Sequence, residues 1–68
     1  MTDVKNTIGQ EIRQRRRSLD ITQSELAEKL ETFQSQVARW ERGAVTPTAR
    51  MQKLIISVLD KLEKKKFR

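Results

Sequence analysis

Residues 22–43 read TQSELAEKLETFQSQVARWERG. Two short helical patterns stand back to back, with only Glu31-Thr32-Phe33 between them. Thr22-Gln23-Ser24-Glu25 has the form of a capping box, in which a hydroxyl and an acid three residues later each bond the other's backbone N–H. A helix from there to Leu30 buries Leu26, Ala27 and Leu30. Thr32 is the best-qualified N-cap for the second helix, which starts near Phe33 or Gln34. Gly43 stops it, because glycine takes the left-handed turn that ends a helix. At ~100° per residue, Val37 points inward with Trp40 and Glu41 beside it. Ser35, Arg39 and Arg42 point the opposite way, and Gln34 and Gln36 lie on the flanks near the leading end.

Such an outer face can be no more than a solvated one. It also suits the major groove of DNA, which admits an α-helix. There, Gln pairs with adenine N6/N7 and Arg with guanine O6/N7. Thr22 and Gln23, at the first turn of the preceding helix, suit a phosphate of the backbone.

The flanking segments are helical too. Thr7-Ile8-Gly9-Gln10 is another capping box, opening a helix over about 8–18. Its inner face is Ile8, Ile12 and position 15 or 16, with Leu19 just past the end and Asp20 as a turn residue. Thr46-Pro47-Thr48 opens a fourth helix, with a hydroxyl cap and proline in the first turn. Met51, Leu54, Ile55, Val58, Leu59 and Leu62 trace one of its faces. Strand signals are poor, with two glycines, one proline and no tyrosine. The expected fold is all-α, a compact bundle of four (or five) short helices around a central helix-turn-helix. Residues 7–62 form the domain, 1–6 a flexible N-terminus and 63–68 a basic tail, frayed from Lys64.

The 68 residues carry 15 Lys and Arg against nine acids, a net charge of +6. That balance favours a polyanion or an anionic surface as partner. With no cysteine and no histidine, neither disulfides nor a zinc site of the usual kind can brace so small a core. No apolar run approaches the ~20 residues of a membrane span. The expected location is the cytoplasm. Catalysis is not expected. Histidine, cysteine and tyrosine are absent, no phosphate loop is visible, and no carboxylates converge. No cofactor or metal is expected.

LAEKL, a three-residue connection and QSQVARWERG together resemble the helix-turn-helix of the phage-repressor and Cro-like, XRE-type regulators. IGQEIRQRRRSLDIT resembles that family's first helix, and TPTARMQKLIISVL its fourth. The resemblance covers about residues 7–60. It implies a lambda-repressor-like fold and sequence-specific binding of double-stranded DNA by a transcriptional regulator, a repressor in the simplest case. Helix 3 would read bases through Gln34, Ser35 and Arg39, with Gln36 nearby. Gln23, Thr22 and Arg42 would touch the backbone, with Ala44-Val45 in the loop. The resemblance also pairs Arg16 with Glu41. The helical wheel agrees, since a carboxylate beside Val37 needs a partner. Arg13, Arg15 and Arg17 are read as a solvated face weakly attracting phosphate.

Three positions depart from the family pattern. Glu31 stands where glycine is preferred in the turn. Phe33 replaces a capping Ser or Thr; core filling or partial exposure is expected, with a thymine-methyl contact as the alternative. Where the family usually adds a fifth helix, helix 4 is expected to run straight into a lysine tail. The spacing of Met51, Ile55, Val58 and Leu62 suggests a homodimer seam along helix 4. An alternative function is that of an antitoxin, which binds a toxin or other protein and represses its own operon. A membrane-active or RNA-binding peptide leaves the caps and the WERG ending unexplained.

Overall fold

In the computed structural model, which describes residues 7–66, the chain forms four helices: α1 (Ile8–Ser18), α2 (Gln23–Lys29), α3 (Gln34–Arg42) and α4 (Ala49–Lys66). The expected flexible segment 1–6 lies outside the described residues. α1 and α2 both open on complete capping boxes, Thr7 with Gln10 and Thr22 with Glu25. Each satisfies two backbone donors that a helix start otherwise leaves open.

The ends of α1, α2 and α3 share one design. The N–H of the residue just after a left-handed one reaches back to a carbonyl five residues earlier, closing a Schellman turn. The three bonds are Ile21 to Arg16 at 3.3 Å, Thr32 to Ala27 at 2.9 Å and Ala44 to Arg39 at 3.0 Å. The residue at each bend is left-handed: Asp20 and Glu31 at φ 59° and Gly43 at φ 81°. Asp tolerates this conformation and glycine adopts it freely, whereas a Glu Cβ crowds the following carbonyl. The turn at Glu31 is therefore strained.

This geometry corrects the expected cap of α3. α3 begins at Gln34, so Phe33, extended at φ −108° and ψ 150°, is the N-cap residue, with no side-chain cap bond, and Thr32 lies one residue too early to cap. The start of α4 also differs. Thr48 Oγ1 accepts from Met51 N at 3.1 Å, so the helix begins at Ala49 and Pro47 precedes the cap instead of lying in the first turn. Pro47 is buried, and its carbonyl accepts from Gln52 Nε2 at 2.9 Å.

The core draws on every helix: Ile12 from α1, Leu26, Ala27 and Leu30 from α2 and its cap, Val37 and Trp40 from α3, and Ile55 and Leu59 from α4. α3 packs on both α1 and α2, and α4 packs on α1. Gly9 makes the α1–α3 approach possible. A Cβ there would overlap the Trp40 carbonyl oxygen and lie 3.1 Å from its carbon. Backbone cannot yield as a side-chain tip does, so only glycine fits without moving a helix.

Four further expectations change. Arg15 is not a solvated arginine. It donates through Nε to Glu63 Oε2 at 2.8 Å and through Nη2 to Glu63 Oε1 and Asp60 Oδ1, and lies 3.6 Å from Glu11. Glu63 and Asp60 raise its pKa further above the ordinary arginine range, and the bond from Arg15 holds the Glu63 carboxyl below its ordinary value. The charges pin the end of α4 to α1, so Lys64 to Lys66 continue the helix. Ile55 is fully buried within the protein's own core, and Met51 and Val58 pack against that core. Of the expected dimer seam, Ile55 therefore lies inside one copy, while Met51, Val58 and Leu62 stay half-buried. Finally, Phe33 is 77% exposed and fills no part of the core.

Candidate nucleic-acid interface

α3 is two-sided. Val37, Trp40 and Glu41 are buried, while Ser35, Arg39 and Arg42 on the opposite side are exposed. Gln34 is exposed at the leading end, and Gln36 is half-buried on the flank. Apolar spacing alone sets this orientation. Turning the helix to hide the arginines would expose Val37 and Trp40 and bury unpaired charge.

A polar chain locks the helix in place. Arg16 Nε donates to Glu41 Oε2 at 2.7 Å, and Nη2 donates to Oε1 at 3.1 Å. The third fork of the guanidinium, Nη1, donates to the Ile21 carbonyl at 2.9 Å, tying the α1–α2 turn to the same group. Gln23 Nε2 adds a bond to Glu41 Oε1 at 3.0 Å. Burial pushes the Glu41 carboxyl up, but the bonds from Arg16 and Gln23 outweigh it and hold the group below its ordinary value. The same bond raises the Arg16 pKa. A buried carboxylate is tolerable here because both oxygens are paired.

The chain extends to the face itself. Gln34 Nε2 donates to Gln23 Oε1 at 2.7 Å, so the first side chain of α3 is oriented by α2, which Glu41 orients in turn. Thr22 is exposed at the start of α2, and its Oγ1 accepts from Glu25 N at 3.0 Å. That bond uses an oxygen lone pair and leaves the hydroxyl hydrogen free to donate outward. Arg13 and Arg17 on α1 are exposed, as is the loop at Ala44 and Val45.

Two features of this site were not anticipated from residue order. The Gln23–Gln34 bond joins side chains 11 positions apart and has no local signature. The role of Gly9 had one available signal. Glycine in a helical interior lowers stability relative to alanine, so its presence inside α1 marks a close approach.

Residues 12–64 match the helix-turn-helix family model, and the chain belongs to that family, in its XRE-type branch. Over 49 residues it is 45% identical to the HTH-type transcriptional regulator DicA of Escherichia coli K12, covering 71% of this chain and 36% of that protein. The chain therefore spans about a third of the length of this relative. No solved structure matches at a comparable level of significance.

Proposed function

We propose that the protein is a sequence-specific double-stranded DNA-binding regulator, acting as a repressor by occupying its site. α3 enters the major groove and α2 crosses the backbone. One observation carries this reading: the exposed side of α3 presents Ser35, Arg39 and Arg42, with Gln34 at its leading end, while the opposite side is locked into the core. In this arrangement Gln34, Ser35 and Arg39 read base edges, with Gln36 beside them. Arg42, Thr22 and the second Nε2 hydrogen of Gln23 reach phosphates. The net charge of +6 supports the same partner, and so does the name of the E. coli relative.

Paired reading helices ~34 Å apart would meet a palindromic site. We place the pairing surface on the edge of α4 where Leu54 is 43% exposed, together with half-buried Met51, Val58 and Leu62. Leu54→Glu is expected to abolish any dimer seen by sedimentation and to weaken binding to a palindrome more than to a half-site.

The deciding experiment is selection of bound duplexes from a random pool, followed by titration of the winner. Arg39→Ala should weaken the selected duplex by about 5- to 150-fold, the equivalent of one good bidentate base contact at ~1–3 kcal/mol, and random duplex far less. If the variant binds both duplexes as the parent does, α3 is not the reader.

A further inference from the structure

Phe33 carries two unfavourable features at once. Its ring is 77% exposed, and it occupies the N-cap of α3 without a side-chain cap bond. Thr7, Thr22 and Thr48 each accept a backbone N–H at the starts of the other helices. At α3 the Gln36 N–H turns instead to the Phe33 carbonyl, at 2.9 Å. Serine or threonine at position 33 would cap the helix and hide no less apolar surface. Neither the core nor the helix end gains from a phenyl ring here.

The position of the ring suggests what does gain. Phe33 immediately precedes exposed Gln34 and Ser35, at the end of α3 that leads into a groove. Val45, 40% exposed, follows the other end. Two of the three exposed large apolar side chains among the described residues therefore bracket the candidate reading face; Leu54 is the third.

We infer that Phe33 is a specificity residue, packing its ring against the C5-methyl group of a thymine in the major groove. The inference rests on the duplex-binding reading above. Along the major-groove edge of the base pairs, donors and acceptors distinguish most positions, and thymine alone adds an apolar group. A phenyl ring forms no hydrogen bond with those donors and acceptors. It discriminates only through the methyl group and the water that contact releases. Gln34 and Arg39 read hydrogen-bonding patterns, so Phe33 reads a feature that they do not.

The test uses the best duplex from the selection. Each thymine is replaced in turn by deoxyuridine, which removes only the methyl group, and affinity is measured by fluorescence anisotropy for the parent and for Phe33→Ser. The variant should fold, because serine restores the missing cap; its thermal midpoint should equal or exceed that of the parent. For the parent, one thymine per half-site should lose about fourfold on conversion, the factor that ~0.8 kcal/mol for a buried methyl represents. For Phe33→Ser, that conversion should have no effect. A scan without a sensitive thymine in the parent, or the same sensitivity in Phe33→Ser, overturns the inference while leaving duplex binding intact. A selected site without thymine does the same. Failure to select any duplex removes the underlying reading as well.

Discussion

Replacing Arg16 with alanine is expected to cost the fold about 3–5 kcal/mol, the range for removing one partner of a buried ion pair. The Glu41 side chain is 3% exposed and that of Arg16 12%. Without the guanidinium, the carboxylate keeps only the Gln23 amide at 3.0 Å, and one neutral donor does not offset desolvation of a charge. The Ile21 carbonyl loses its bond from Nη1 as well, adding about 1 kcal/mol. At ~0.05–0.15 kcal/mol per residue, a domain of this size holds roughly 3–10 kcal/mol in total. A single side chain thus accounts for anything from about two fifths of the margin to all of it. Arg16→Met with Glu41→Leu should recover most of the loss, because two apolar groups of similar size leave nothing unpaired. The coupling between the single substitutions should be about 3 kcal/mol or more, because the double variant regains most of what the loss of Arg16 alone costs. Urea denaturation followed by the sole tryptophan measures all of this, since Trp40 is buried in α3 beside Glu41. If Arg16→Ala unfolds within about 1 kcal/mol of the parent and with equal slope, the carboxylate is accommodated without its partner, and the reasoning is refuted.

Gly9→Ala should destabilise by about 1–3 kcal/mol despite the better helix propensity of alanine, because the new methyl meets the backbone of α3; a raised thermal midpoint would contradict the close approach. Glu31→Gly should stabilise by about 1 kcal/mol by relieving the left-handed turn, visible as a higher urea midpoint with unchanged slope. Glu41 titrates below its ordinary value of 4.5. The stability it contributes is therefore present above about pH 4.5 and lost as pH falls through the lower folded value. With no histidine or cysteine, the urea midpoint should be flat from about pH 5 to 7 and fall below 4.5, less steeply in Glu41→Gln.

Local chemistry made much of this protein legible before any packing was considered. Thr7 and Thr22 announce helix starts through side chains that bond their own backbone, and Gly43 announces an end through a conformation it adopts without cost. Period and spacing put Val37 inside and Arg39 outside, because one helix cannot bury both sides. The wheel and the rule that a buried carboxylate needs a partner marked Glu41, and the family resemblance supplied Arg16 as that partner.

What residue order left undecided involves competition between segments. Whether Thr32 or Phe33 caps α3 depended on where the turn that ends α2 stops, and that turn takes in Thr32. Arg15 looks like Arg13 and Arg17 along the chain; only the path of α4 brings Asp60 and Glu63 to it and not to them. Ile55 fits a dimer seam and a monomer core equally well by spacing, and the other three helices decided for the core. Phe33 is expected in the core or partly exposed, yet at the N-cap of α3 it is 77% exposed. Capping and periodicity act over a few residues and so can be read in order, whereas partner choice is set by the distances that the assembled helices create.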